Sequence, residues 1–388
     1  MGEPLKISEL TLMQVAGRQQ LSAKVDGEIV WFDFPRSIEL EARGEIFIAV
    51  ALLEAMVSNK AIELGDDIVI SPTLLRRIDT LQDIYSCWNK DLKKIAIKGG
   101  IIRASVGNNL VGCFYSGGVD GAYSFCQHQR EVTHLITLAG FDLVNNQTQW
   151  RNLVAKNKLF AKKFNIALVD INSNVRQFSE KRKISIYFQH GLTLAGIAIS
   201  LGFGKTYIPT GLTYDDLFPW SSHPLTDHLW SIEERDVIHD GVEMSRSSKI
   251  KFLADYPEAL DNLQVCWGNI DHNCGQCSKC IRTRAALHLI KVSCASLAPI
   301  VDIKELNKIT ISGTSGLPVI KDLLNLAYIH QCDDEVKIFK RITRRYLIKL
   351  HTEELIKSIL GPKLTRYIAR LRGGLWKEYR VTMEGKDE

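Results

Sequence analysis

The sequence predicts an α/β protein whose central part, residues 106–290, is built on a parallel β-sheet. Short apolar runs alternate there with helix-length segments, which is the pattern of βαβ units. A glycine-rich turn follows the first of these runs, and four closely spaced cysteines lie near the end of the segment. Residues 1–105 are predicted to form an α+β domain, and residues 291–388 a helical, basic region.

Residues 1–105 carry strand and helix signals but no catalytic motif. The segments QQLSAKV and EIVWFDF alternate apolar and polar residues on either side of Asp26-Gly27, which indicates a β-hairpin. IFIAVALLEAMV and LLRRIDTLQDIYSCW have helical spacing, whereas DDIVIS and KKIAIKG are typical of strands. Recognition of a substrate, recognition of a protein partner and formation of a homodimer all remain open for this region.

The central segment is predicted to contain strands over 110–115, 133–139, 167–171 and 206–208. Helices are predicted from the glycine turn to about residue 129, over 150–164 and over 190–201. The carboxyl ends of parallel strands share one edge of the sheet, where ligands bind. We therefore expect the turn at Ser116, the turn Gly140-Phe141-Asp142, the turn that ends at Arg176 and the segment after residue 208 to face one crevice.

The glycine-rich turn Ser116-Gly117-Gly118-Val119-Asp120-Gly121 follows the first predicted strand and precedes a helix. Glycines let backbone N–H groups converge on an anion, and the helix N-terminus favours negative charge. Ser116 adds a hydroxyl donor, and Asp120 could cap the helix or approach a Mg²⁺ held by phosphate oxygens. The turn predicts a phosphate site, with an ordinary strand-to-helix turn as the alternative.

Four of the nine cysteines, Cys266, Cys274, Cys277 and Cys280, lie within fifteen residues in a C-x7-C-x2-C-x2-C spacing. Two consecutive C-x2-C steps bring three thiolates within reach of one tetrahedral ion, and the fourth comes from upstream. The spacing predicts a closed, structural Zn²⁺ site, with His272 as a substitute ligand. Scattered buried thiols are the alternative.

The SGGVDG turn resembles the SGGxDS pyrophosphate loop of the PP-loop ATP pyrophosphatases. Together with a cysteine cluster about 150 residues later that runs into Cys280-Ile281-Arg282, it is similar to the 7-cyano-7-deazaguanine synthase family over residues 106–290. The resemblance implies an adenine nucleotide α-hydrolase-like fold and a ligase that cleaves ATP to AMP and pyrophosphate. Such an enzyme adenylates a carboxylate or amide oxygen for attack by ammonia or an amine. Gly121 departs from the family, which usually has serine there.

The resemblance also implies site residues. Pyrophosphate and its Mg²⁺ would be held by Ser116, Gly117, Gly118, Val119, Asp120 and Gly121. Gly140 and Phe141 would lie near adenine or ribose, and His190 would contact ATP or instead cap its helix. Arg176 could neutralise phosphate charge or pair with an exposed acid.

The segment that would hold the substrate departs from the family signature. It contains His223-Pro224-Leu225-Thr226-Asp227, which puts a deazaguanine substrate in doubt. His223 and Asp227 could transfer protons or bind a substrate carboxylate, or could serve as turn residues. Nitrogen would come from free ammonia, a separate partner or the substrate itself, since no glutaminase domain is apparent.

Three alternative functions stay open: an RNA-modifying sulfurtransferase that uses Cys113 or Cys126, an enzyme that joins a deazaguanine to a protein partner, and a non-catalytic ATP-binding protein.

The net charge is +5, and there are about thirteen Lys or Arg against three Glu between residues 337 and 380. That run favours a solvated helix face over a nucleic-acid surface. No apolar run reaches about eighteen residues, and no secretory signal is visible, so we expect a cytoplasmic protein without a membrane span.

Overall fold

The computed structural model describes residues 2–139, 147–266, 272–311 and 316–371. Its strands are β1 Leu5–Val15, β2 Arg18–Val25, β3 Glu28–Pro35, β4 Ile62–Ile70, β5 Ile97–Ile102, β6 Asn108–Phe114, β7 His134–Leu138, β8 Ala167–Ser173, β9 Phe203–Pro209 and β10 Asp236–Asp240. Its α-helices are α1 Glu45–Ser58, α2 Pro72–Trp88, α3 Val119–Gln127, α4 Gln147–Lys163, α5 Val175–Lys181, α6 Ile186–Ser200, α7 Arg246–Leu253, α8 Pro257–Asp261, α9 Ser278–Leu289, α10 Gly316–Ile329 and α11 Asp333–Leu371.

The ten strands form one sheet in the order β10-β9-β6-β7-β8-β3-β2-β1-β4-β5. The five strands from β10 to β8 in this order are mutually parallel, which confirms the predicted parallel sheet of the central segment. Strand β6 lies between β7 and β9. After β6 the chain adds β7 and β8 on one side of it, and then β9 and β10 on the other side. The carboxyl end of β6 is therefore the topological switch point, where open α/β sheets bind ligands.

The N-terminal strands extend this same sheet. Strands β2 and β3 form the predicted hairpin, and Asp26 and Gly27 have φ of 49° and 80° in its turn. Strand β3 then pairs antiparallel with β8, where Phe32 lies opposite Ser173. Residues 1–105 thus combine strands and helices, as expected, but they share one continuous sheet with the central segment.

Two apolar layers cover the sheet. Helices α1, α2, α5 and α6 contribute to one core, and helices α3, α4 and α7 to α11 contribute to the other. Helices α1 and α6 approach closely at Gly196, where a Cβ would lie 3.0 Å from the Cα of Ile46. Gln189 of α6 donates a hydrogen bond to the carbonyl of Ala49 at 2.9 Å. The N-terminal region therefore shares a core with the central segment.

Strand β10 had not been predicted, because its sequence DVIHD is short and mostly polar. The helical C-terminal region is present in α10 and α11. Within the described ranges, none of the helices combines the length and the apolar character that a membrane crossing requires.

One carboxylate joins the N-terminal region to the segment before β10. Glu233 accepts hydrogen bonds from the hydroxyl of Ser71 at 2.7 Å and from the backbone N–H of Thr73 at 3.3 Å, at the start of α2. Its second oxygen accepts from the N–H and the hydroxyl of Ser105, both at 3.0 Å. Burial acts to raise the pKa of Glu233, but these donors outweigh it and lower the pKa to about 2.

We expect Glu233→Gln to lower the free energy of unfolding by about 1 kcal/mol at neutral pH, because the donors lose a charged acceptor. The pKa is lowered in the folded state, so this stabilisation is present above the ordinary glutamate pKa and is lost as the pH falls towards 2. Urea unfolding should show that the free energy of unfolding falls less between pH 7 and pH 3 in the variant than in the wild type. Glu3→Gln, at an exposed glutamate, is the control. Identical pH dependence in Glu233→Gln and wild type would contradict this role.

Candidate functional site: a glycine loop, a cationic cluster and four cysteines

The glycine loop occupies the switch point of the sheet. Strand β6 ends at Phe114, and α3 begins at Val119 with Gly118 as its N-cap residue. Gly117 has a φ of +82°, a left-handed conformation that favours glycine. Ser116 is exposed, whereas Gly117 and Val119 are buried. The loop thus directs the N-terminus of α3 towards the edge where ligands bind.

Asp120 does not cap α3, which was one of its predicted roles. Its carboxylate accepts a hydrogen bond from the guanidinium of Arg246 and lies 3.6 Å from Nζ of Lys249. Burial acts to raise the pKa of Asp120, but the charges of Arg246, Lys249 and Lys279 together lower it. Asp120 is therefore held as a carboxylate among cations.

Lys249 is the buried member of this cluster. Its Nζ donates to the carbonyl of Thr210, just after β9, at 2.5 Å. Burial lowers the pKa of Lys249, and the charge of Asp120 opposes that shift. Asp240 and Glu243 also attract Lys249, but Asp240 contacts His128 at 2.9 Å, and Glu243 accepts from the hydroxyl of Tyr123 at 2.7 Å.

Helix α9 contributes two further cations. Lys279 acts electrostatically on Asp120, and burial together with the charge of Arg246 lowers the pKa of Arg282. We refer to Arg246, Lys249, Lys279 and Arg282 as the cationic cluster. Within the described part of the chain, Oδ1 of Asp120 and Nε of Arg246 are buried and have no hydrogen-bond partner. The unsatisfied N–H of Arg246, beside a loop of N–H donors, suits an anionic ligand such as a phosphate, whereas the free carboxylate oxygen of Asp120 suits a cation.

The four predicted cysteines converge on one point. Their sulfur atoms all lie within 4.8 Å of one another, and the pairs Cys274–Cys280 and Cys266–Cys277 are each 3.9 Å apart. A tetrahedral Zn²⁺ with Zn–S bonds of about 2.3 Å needs sulfur separations of about 3.8 Å. The group therefore fits a metal ion such as zinc, and His272 is not part of it.

The thiols of this group differ in acidity. Backbone N–H donors of Gln276 and Cys277 lower the pKa of Cys274 to about 6, although burial acts against them. Burial raises the pKa of Cys277 and of Cys280. A bound metal would offset that penalty, because it stabilises the thiolate form of each ligand.

His190 and Ser221 form a contact at the start of α6. The hydroxyl of Ser221 lies 2.9 Å from Nδ1 of His190 and accepts from the N–H of Gly191 at 2.6 Å. The N-cap residue of α6 is Ser185, so His190 does not cap this helix. Its predicted contact with ATP stays a prediction.

His223 and Asp227 belong to a buried polar cluster that also contains Ser222 and His239. Asp227 accepts from the hydroxyl of Ser222 at 2.7 Å, from Nδ1 of His239 at 2.8 Å and from the N–H of His223 at 3.0 Å. Burial, reinforced by His239, lowers the pKa of His223 to about 4, so this ring is neutral at pH 7. Proton transfer by His223 or Asp227 stays a prediction.

Three predicted site residues remain, namely Arg176, Gly140 and Phe141. Arg176 pairs with Glu180 one turn later on α5, at 3.1 Å. Gly140 and Phe141, predicted near adenine or ribose, lie outside the described residues.

Arg246, Lys249 and His239 were missed by the sequence analysis. The segment Ser245-Arg246-Ser247-Ser248-Lys249 offers one usable signal, a serine N-cap followed by two cations at the start of a helix after β10.

Comparisons with protein families, with characterised proteins and with solved structures find no match to this chain. The function must therefore be inferred from the site itself.

We expect Gly121→Ser, which would introduce the serine usual in the PP-loop sequences that this turn resembles, to destabilise this protein by about 1–3 kcal/mol. A Cβ at Gly121 would lie 3.1 Å from the carbonyl oxygen of Phe114 and 3.3 Å from Cα of Tyr115, and a strand backbone cannot easily move away. Chemical denaturation measures the change. Gly118→Ser is the matched control, because its Cβ would meet only Ser116 Oγ at 3.6 Å and serine is a favoured N-cap residue. Equal stability of Gly121→Ser and wild type would refute the steric argument.

We expect the purified protein to contain about one zinc ion per chain by elemental analysis, since four sulfur ligands form one closed site. Cys280→Ser should reduce that content severalfold, because a buried ligand is lost. Cys87→Ser, at an exposed cysteine outside the group, should leave it unchanged. Full zinc content in Cys280→Ser would show that the metal is bound elsewhere.

Proposed function

We propose that this chain is an ATP-dependent adenylating ligase that binds the phosphates of ATP at its glycine loop. One observation carries the proposal: the glycine loop lies at the switch point of the parallel sheet and faces the cationic cluster. Asp120, at the end of this loop, forms ion pairs with Arg246 and Lys249 of that cluster. Backbone N–H groups and clustered cations are the usual partners of polyphosphates. The similarity of SGGVDG to the PP-loop sequence supports the same assignment.

The proposed reaction begins with attack of a substrate carboxylate or amide oxygen on the α-phosphorus of ATP. A new P–O bond forms, the bond to the β-phosphate breaks, and pyrophosphate leaves. The loop N–H groups would hold the leaving pyrophosphate, while Arg246 and Lys249 would neutralise the charge that develops on it. Ammonia or an amine then attacks the activated carbon, and the C–O bond to AMP breaks.

Asp120 is the residue that would meet Mg²⁺. Its Oδ1 has no hydrogen-bond partner among the described residues, and Mg²⁺ is commonly held by one or two carboxylates together with substrate phosphates. When bound, the ion would add charge neutralisation on the phosphate oxygens. The salt bridge from Arg246 would help to orient the carboxylate for this contact.

Two buried thiols weigh against the sulfurtransferase alternative. Cys113 and Cys126 are buried beside the loop, and burial raises the pKa of both, that of Cys126 to about 12. Sulfur transfer needs an accessible thiolate, which such surroundings disfavour. We therefore favour a nitrogen nucleophile. The substrate would be a small carboxylate or amide, a deazaguanine among them, and the amine could belong to a protein partner.

The test is the product of ATP turnover with Mg²⁺, ammonium and 7-carboxy-7-deazaguanine. We expect AMP and pyrophosphate, and we expect Lys249→Met to lower the rate by about 100-fold or more, because a cation beside the phosphates is lost. Lys251→Met, at an exposed position on the same helix α7, should keep wild-type turnover.

ADP and phosphate as products would contradict the proposal. If no turnover occurs with this substrate, calorimetric titration with ATP decides whether the site binds nucleotide. Binding that Lys249→Met weakens and Lys251→Met preserves would retain the phosphate site and exclude only the substrate. Absence of ATP binding in the wild type would refute the site.

A further inference from the structure

Two segments of the chain connect the four-cysteine group to the glycine loop. The first is the segment before Cys266. The N–H of Gln264 donates to the carbonyl of Gly117 at 2.7 Å, and Cβ of Gln264 would lie 3.1 Å from a Cβ at Gly117. Cys266 follows two residues later. A displacement of Cys266 would therefore be transmitted over two residues to the backbone of the loop.

The side chain of Asn273 holds this segment in place. Its Oδ1 accepts from the N–H groups of Val265 at 2.8 Å and Cys266 at 3.1 Å, and its Nδ2 donates to the carbonyl of Leu263 at 3.0 Å. Asn273 precedes Cys274, so the two halves of the cysteine group are also joined by hydrogen bonds. The segment that contacts Gly117 is thus tied to the cysteine group by three hydrogen bonds of one side chain.

The second connection is the first turn of α9. Cys277 is the N-cap residue of this helix, and its sulfur accepts from the N–H of Cys280 at 3.5 Å. Lys279 lies between these two cysteines, and Arg282 follows two residues after Cys280. The start of α9, from Cys277 to Arg282, therefore carries two metal-site ligands and two members of the cationic cluster.

The cationic cluster needs such a support. Its four members all carry positive charge, and Asp120 is the carboxylate that Arg246 and Lys249 contact. Like charges at close range separate unless a rigid framework or an anion holds them together. The four-cysteine group supplies the framework, and a phosphate ligand would supply the anion.

We propose that the four-cysteine metal site and the anion site are thermodynamically coupled, through Gln264 on one side and Lys279 on the other. The inference rests on the proposed function only in requiring that the glycine loop binds a polyphosphate. Coupling is reciprocal, so an anion at the loop must strengthen retention of the metal by the factor by which the metal strengthens binding of the anion.

The test measures how zinc partitions at equilibrium between the full chain and a chromogenic chelator, with and without saturating magnesium pyrophosphate. We expect pyrophosphate to protect the zinc by raising the affinity of the chain for it by about 5-fold or more, which is the lower range of allosteric coupling. Lys249→Met, a variant of the anion site remote in sequence from the cysteines, should lose the protection. Because pyrophosphate also binds zinc in solution, the effect of pyrophosphate on Lys249→Met measures that contribution and is subtracted.

Lys279→Gln is the decisive variant. It should bind pyrophosphate more weakly, and a calorimetric titration gives the concentration that saturates it. At that saturating concentration it should lose most of the protection of zinc. Lys291→Gln, at an exposed position beyond the other end of α9, is the matched control and should keep it.

The outcomes separate the two proposals. Wild-type protein that binds pyrophosphate but holds zinc with unchanged affinity would overturn the coupling and leave the phosphate site intact. Wild-type protein that does not bind pyrophosphate would overturn both. Full protection in Lys279→Gln would overturn the route through α9.

Discussion

The parallel pairing of β6 with both β7 and β9 is the constraint on which the rest of the structure depends. It places the end of β6 in the middle of the sheet rather than at an edge, with strands leading away on both sides. The glycine loop must then open at the switch point, and the residue after Thr210 comes against Asp120, where a Cβ on Gly211 would lie 3.3 Å from its carboxylate. Strand order therefore determines where the candidate site lies, and the side chains determine only what it can bind.

Electrostatics then determines what this crevice can hold. Arg246 and Lys249 come from the helix after β10, and Lys279 comes from the cysteine-rich segment. Together with the glycine loop, which carries Asp120, three separate parts of the chain meet here. Gathering cations in a partly buried place costs free energy. Asp120 offsets part of this cost. Under the proposed coupling, anchoring by the four cysteines and a bound anion would offset more of it.

The N-terminal region contributes to the site indirectly. Its strands complete the sheet beyond β8, and α1 packs against α6 through Gly196 and Gln189. Helix α6 carries His190 at the same edge as the glycine loop, because a helix that precedes a parallel strand runs antiparallel to it. Removing residues 1–105 would therefore expose the core that positions α6. The boundary at residue 105 is a boundary in sequence pattern, and the sheet and its apolar layer continue across it.

The sequence by itself determined the local features: the alternation of strands and helices, the hairpin at Asp26-Gly27, the glycine loop and the spacing of four cysteines. These depend on backbone geometry and on ligands close together in the chain, which residue patterns encode directly. Only the tertiary structure decided the pairing of β3 with β8, the position of the short polar strand β10, the salt bridge from Arg246 to Asp120 and the contact of His239 with Asp227. Arg246 and Asp120 are 126 residues apart, and no local periodicity relates them. Such contacts arise from strand order and from helix packing, which are properties of the whole chain.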